Sequence, residues 1–309
     1  MASMRDIKRR KSSIQSTQQI TKAMKLVSTV KLQRAKQRAE HSKAYFNAMH
    51  QTVSSMLAKA GGINHPYVTG NDSSRKAVVM ITGNRGLAGG YNSNIIKLIT
   101  KGEFVGEDLD SYAIGTKGRD AVARNGYNVK AVYSELAEEP SYAEAMGISR
   151  DLLSAYKNGE VGEIYLAYTS FKNTVSHEPN LIKLLPAEVS ERAAAKADEA
   201  ETVSGSVQAA AVKTEAESTG SGAKALMNFE PADEEALELI VPQYVTSLIF
   251  GGLLESVASE NGARMQAMDS ATSNAEEMID SLSLLYNRAR QGAITQELTE
   301  IIAGAEAIS

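Results

Sequence analysis

Between Ile7 and Leu57 the chain has neither proline nor glycine, and apolar residues recur every three or four positions, among them Ile7, Ile14, Ile20, Met24, Val27, Val30, Tyr45, Met49 and Val53. That spacing predicts one continuous helix, about 50 residues and roughly 75 Å long at 1.5 Å rise per residue. A second such stretch lies at the other end. Pro231 suits the first turn of a helix there, and Pro242 should break or kink it. From Gln243 to about Ile302 no further proline occurs, and Tyr244, Leu248, Leu254, Met265, Met268, Ile279, Leu282, Leu285, Ile294, Leu298 and Ile301 keep the helical rhythm. This predicts a rod of about 60 residues, roughly 90 Å. Neither rod is stable alone in water, because a helix gains most of its stability by burying an apolar face. The two ends of the chain are therefore expected to pack as an antiparallel coiled coil. The C-terminal member is longer, so its tip should project as a single helix. The seam carries Ala, Met, Thr and Ser at many inward positions, so the rod should need a surrounding partner for its final stability.

Between the rods the texture changes. "AGGINHPYVTGNDSS", residues 60–74, has loop chemistry. From Lys76 to about Ala187 short apolar runs alternate with helical segments. Strands are expected at Ala77–Thr82, Ser111–Ile114, Val129–Tyr133, Glu163–Tyr168 and Leu181–Leu185, and helices at Ser93–Ile99, Lys117–Arg124 and Tyr142–Lys157. Alternating β and α implies an α/β fold: a small Rossmann-like domain with a mostly parallel sheet and helices on its faces. Residues 190–224 hold no aromatic and little bulky apolar content, which reads as low complexity. The expected domains are an N-terminal coiled-coil helix (1–58), a connector (59–75), the α/β domain (76–189), a low-complexity insertion or linker (190–226) and a C-terminal coiled-coil helix (227–309).

Composition narrows the chemistry. The chain has no cysteine, which removes disulfides, thiolate metal sites and a cysteine nucleophile. The histidines, His41, His50, His65 and His177, lack metal-ligand spacing, and no Gly-x-Ser-x-Gly elbow is present. Pairs such as Glu138-Glu139 and Glu276-Glu277 read as solvated faces. No catalytic, cofactor-binding or metal-binding residue is therefore assigned. A net charge of −4 hides an asymmetry: basic residues from Arg5 to Arg38 are opposed only by Asp6 and Glu40. Such an arm seeks an acidic partner. Nucleic acid is not expected, because the basic residues spread around the helix and aromatics for base stacking are nearly absent. The longest apolar run, Val245–Leu254, is shorter than the roughly 20 residues that span a bilayer, and the chain reads as soluble. The N-terminus is basic and Ser-rich like an organellar transit peptide, but helical sequence continues unbroken past it.

One stretch looks like a phosphate cradle. "ITGNRGLAGGYNSN", residues 81–94, follows an apolar strand and precedes a helix, the arrangement by which backbone N–H groups hold phosphate. Yet no Gly-Lys-Ser/Thr follows, and the spacing is not G-x-G-x-x-G. The glycines read as a tight turn, with a nucleotide-binding α/β enzyme carrying helical arms kept as the alternative.

At this point the residues become recognisable. "MRDIKRRKSSIQSTQQITKAMKLVSTVKL" (4–32), the glycine loop, and "LLESVASENGARMQAMDSATSNAEEMIDSLSLLYNRARQGAITQELTEIIAGAEA" (253–307) together resemble the γ subunits of F-type ATP synthases. The resemblance covers all but the stretch around residues 190–224. It implies a non-catalytic rotor subunit, one per complex, whose coiled coil lies inside a head of α and β subunits and whose foot meets the ε subunit and the c ring. Ion flow through the c ring would turn the shaft and bias each β subunit in turn. By matching motifs, Arg290, Gln291, Thr295 and Glu297 would contact the head, with Met24 and Arg264 at further positions that couple shaft to head. Lys8, Arg9, Lys22 and Lys25 would face acidic β surface. Arg85 and Asn84 would form a foot-loop contact, although relatives usually carry an acidic residue where this chain has Asn84. The implied location is the cytoplasmic face of a bacterial membrane, held peripherally, or the matrix or stroma face in an organelle.

Overall fold

The computed structural model describes residues 4–59, 65–102, 104, 108–187 and 233–308; the low-complexity segment at 190–226 lies outside the described residues. The two terminal rods are present. Helix α1 runs Met4–Lys59 and helix α6 runs Asp233–Ile308, 56 and 76 residues long. Their register is antiparallel. Gln18 Nε2 donates to Glu276 Oε1 at 2.9 Å, the Thr21 and Thr272 hydroxyls meet at 2.8 Å, and Lys25 pairs with Asp269. Further along, Leu32 and Ala35 pack on Ala258, and the Phe46 and Phe250 rings lie 6.3 Å apart. The seam is thin, as its composition implied: Thr21, Ser28, Ala35, Ala258 and Ala275 are all buried.

Pro242 does not break α6. The helix passes through it without interruption, against expectation. An interior proline costs roughly 3 kcal/mol, but Leu237, Val241, Val245, Ile249 and Leu253 form a stripe four residues apart, each at most 1% exposed. Burying side chains of this size contributes about 1.5–3 kcal/mol each, which outweighs the lost backbone bond. The same segment makes α6 long and apolar enough to cross a membrane by length and composition, more than the Val245–Leu254 run alone suggested. Half of that window is buried in the core.

The stripe packs on a five-stranded sheet. β1 (Lys76–Ile81), β2 (Leu109–Ile114), β3 (Asn128–Tyr133), β4 (Glu163–Phe171) and β5 (His177–Leu185) lie in the order β3-β2-β1-β4-β5. Every expected strand is found. The first four are parallel and β5 is antiparallel. The link between β4 and β5, residues 172–176, is too short for a parallel crossover and can close only a hairpin. β5 starts four residues earlier than its apolar run, because His177-Glu-Pro-Asn180 lies on an edge strand, where proline is tolerated.

Central strand β1 shows the layering. Ala77, Val79 and Ile81 face α6 and α5 (Tyr142–Lys157), while Val78 and Met80 face α3 (Tyr91–Thr100) and α4 (Thr116–Arg124). Inside the expected connector, α2 (Pro66–Thr69) forms a single turn, and His65 Nδ1 accepts the Tyr67 N–H that the turn leaves free. Helix α6 thus serves three settings in turn. Its first third is core of the α/β domain, its middle pairs with α1, and its end pairs with nothing among the described residues.

Candidate functional site

The glycine loop sits where β1 hands over to α3, at the C-terminal edge of the sheet. Several of its polar groups are already committed. Gly83 N–H donates to Asn92 Oδ1 at 2.8 Å, and Asn92 Nδ2 donates to the Arg85 carbonyl at 3.2 Å. Thr82 Oγ1 donates to the Ile114 carbonyl and accepts the Gly118 N–H, both at 2.9 Å. Asn84 braces three strand ends: Oδ1 accepts the Thr116 N–H at 3.1 Å and Nδ2 donates to the Ser134 carbonyl at 2.7 Å. A carboxylate could take the first of these bonds but not give the second.

The loop also faces a negative group. Gly83 is pressed against the shaft, and a Cβ there would lie 2.7 Å from Glu260 Oε1. Glu260 is buried beside Arg264, its partner one turn along α6. Burial pushes the Glu260 carboxyl above its ordinary range, and the Arg264 guanidinium pulls it back. Tyr91, at the start of α3, is buried close by; burial drives its phenol far upward, the Glu260 charge adds to this, and Ser256 opposes it. A loop whose first glycine amide is spent, and which packs on a carboxylate, is a poor phosphate cradle. It is a joint between the α/β domain and the shaft.

That joint continues down α6. Gly252 lets Leu166 and Ile81 approach closely, and the Ser256 hydroxyl accepts the Thr169 N–H at 3.3 Å. Ser259 Oγ donates to the Thr169 carbonyl at 3.2 Å, whose opposite residue on β5, Pro179, has no N–H to offer. A cavity of about 370 Å³ opens beside this contact, lined by residues such as Tyr91, Asn94, Thr169, His177 and Gln266.

The residues expected at partner contacts fall into four places. Arg264 is half-buried in the joint, so one of its roles is internal. Arg85 is 79% exposed on the loop and 3.7 Å from Glu138. Met24 is half-buried on α1, near the level of the Lys25–Asp269 pair and about a turn and a half from Arg264 along the rod. Arg290, Gln291, Thr295 and Glu297 are all exposed. Fourteen residues back from Gln18 is Met4, and fourteen on from its partner Glu276 is Arg290. The expected tip contacts therefore lie at and beyond the level where α1 begins. From there α6 continues to Ile308, about 27 Å of helix with no companion among the described residues. Ile294, Leu298, Ile301 and Ile302 share one face of it and are 47–67% exposed. Sequence reasoning missed Glu260, whose contact with Gly83 joins positions far apart in the chain and leaves no local pattern.

A long asymmetric shaft, clasped by an α/β foot and ending in an apolar-faced single helix, defines a stalk protein: one built to stand within other chains. A family model described as ATP synthase matches residues 3–308. The ATP synthase gamma chain of Lachnoclostridium phytofermentans is 58% identical over 309 residues, all of both chains. The sodium-ion-specific ATP synthase gamma chain of Acetobacterium woodii is 38% identical over 99% of each. A chain in the Euglena gracilis mitochondrial ATP synthase, solved as OSCP/F1/c-ring in one rotational state, has the same fold with a TM-score of 0.65 at 17% identity, covering 99% of this chain and 94% of that one. The chain belongs to the ATP synthase gamma-chain family, the non-catalytic central-stalk subunits of that complex.

Proposed function

We propose that this chain is the torque shaft of an ion-translocating ATP synthase, one copy per complex, turned by the c ring at its foot and biasing the catalytic β subunits at its head. The observation that carries this is the inequality of the two helices. α6 outruns α1 and presents Ile294, Leu298, Ile301 and Ile302 to a surrounding partner. Below the tip the coiled coil also turns apolar residues outward, with Ile20, Leu26, Val27 and Val30 each at least 51% exposed. A shaft with no rotational symmetry inside a ring of equivalent subunits touches each one differently. Each orientation then favours one β conformation over the others, which is population shift by differential contact. Inverting a 1:99 ratio takes about 5.5 kcal/mol, within reach of several modest contacts.

In this reading Arg290, Gln291, Thr295 and Glu297 meet the head near the tip, Met24 and Arg264 couple at mid-shaft, and Arg85 contacts a partner from the foot loop. Residues 1–58 and 227–309 form the shaft, and 76–189 the foot, which meets the ε subunit and the c ring. The protein sits peripherally on the cytoplasmic face of a bacterial membrane. Reconstitution tests it. Head subunits assembled with this chain should gain coupled ATP hydrolysis, while the chain alone neither hydrolyses ATP nor binds it tightly. Stoichiometric micromolar ATP binding by the isolated chain would support a nucleotide-binding enzyme instead.

A further inference from the structure

Gly262 lies in the middle of α6, where glycine is the poorest helix former after proline. The space it leaves is occupied. A Cβ at Gly262 would lie 2.7 Å from Cε1 and 3.1 Å from Nε2 of His177, and 3.6 Å from the Phe171 ring. His177 opens β5 opposite Phe171, with the two rings 5.8 Å apart. Its ring nitrogens are shielded from water and make no hydrogen bond of normal geometry among the described residues, so the imidazole acts here through its shape.

Two residues earlier, Glu260 reaches the opposite way, into the space left by Gly83. Positions 260 and 262 lie about 200° apart around a helix of 3.6 residues per turn. At one level, then, α6 is held on opposite flanks: by the β1–α3 loop on one side and by the β4–β5 hairpin on the other. One is a knob of the shaft seated in the foot, and the other a knob of the foot seated in the shaft. A single contact leaves a rod free to roll away from it, whereas an opposed pair blocks rolling in both senses.

We propose that His177 seated on Gly262 is a positioning contact that, where the buried Leu237–Leu253 stripe gives out, fixes the angle of the shaft on the foot, so that torque entering at one leaves undiminished at the other. The proposal rests on the rotor reading above. The test uses the whole complex in membrane vesicles, with ATP hydrolysis and ATP-driven ion uptake measured together, uptake being followed with a pH-sensitive dye and with labelled sodium. Gly262→Ala drives a methyl into the His177 ring. Hydrolysis should stay unchanged while ions moved per ATP fall about threefold, as overpacking one contact displaces the hairpin. His177→Ala only removes atoms, so it serves where the first variant fails to assemble; it should lower the ratio about twofold by emptying the seat. Gly262→Met combined with His177→Ala refills the seat from the shaft side and should restore the ratio. A contact that merely holds the fold would lower hydrolysis and assembly, not their ratio to uptake. Single variants with an unchanged ratio, or a combined variant that restores nothing, would overturn the proposal. Wild-type vesicles that hydrolyse ATP without moving ions would overturn the rotor reading, and the seat with it.

Discussion

Gly115 holds φ +88°, and any Cβ on it would strike the Thr82 carbonyl oxygen. Both constraints act at one position, so Gly115→Ala should cost about 1–3 kcal/mol, visible as a lower Tm of the full chain. Arg264 stands in a different predicament. Replacing it with methionine leaves the Glu260 carboxylate buried without its counter-charge, and loss of one partner of such a pair costs about 3–5 kcal/mol. Burial holds the Glu260 carboxyl above its ordinary 4.5. A raised acid is stabilising in its protonated form and destabilising once ionised, so the defect of Arg264→Met should shrink as pH is lowered toward 4.5 and be largest at neutral pH. Adding Glu260→Gln should recover most of it. His177 runs the other way. Burial depresses its imidazole below the ordinary 6.5, with the Thr174 backbone opposing in part. The unfolded chain therefore binds the proton first, and stability should fall as pH drops below 6.5. His177→Gln should flatten that slope in chemical denaturation. At this scale the sequence was silent about buried pairs. Arg290, Gln291, Thr295 and Glu297 were named only through the resemblance of their motif to the family's. The Glu260–Gly83 and Gly262–His177 contacts could not be named, because each joins a helix position to a loop or strand end more than 80 residues away.

Helix α6 shows why elements were legible and their ends were not. A helical rhythm of apolar residues identified the rod, and strand-length apolar runs identified all five strands, because those periods record which face is buried. Pro242 was misleading. Local chemistry argued for a break there, but tertiary burial of the stripe from Leu237 to Leu253 decided the outcome. Pro242→Ala should therefore stabilise the chain, by as much as about 3 kcal/mol, since it returns a backbone donor without touching that stripe; thermal unfolding reads it. The tip makes the converse case. Ending the chain after Arg290 removes only residues that pack on nothing among those described. The unfolding midpoint of the isolated chain should hardly move, while the complex built from it should come apart more readily during gel filtration. β5 began earlier than expected for the same reason that Pro242 was tolerated. His177, Glu178, Pro179 and Asn180 carry no apolar pattern, and their pairing with β4 follows from the short hairpin link, which only topology reveals.

Taken whole, the molecule is a lever with its charges sorted along its length. Arg5, Lys8, Arg9 and Arg10 are exposed on the first turns of α1, yet the chain carries a net −4. Association of the shaft end with an acidic ring should accordingly slow as salt is raised from about 0.01 to 0.15 M, a range over which the Debye length shortens from about 30 to 8 Å; stopped-flow assembly kinetics would show it. The thin seam bears on something else, the bore of whatever housing receives the rod. Interaxial distances between packed helices run from about 8 to 10 Å according to the side chains between them, and Thr21, Ser28, Ala35 and Ala258 put this pair among side chains small enough for the near end of that range. A leucine seam would bind the helices more tightly and make them fatter. A spindle that must spin without jamming has use for slenderness over internal grip, and it can leave to its sleeve the cohesion it gives up.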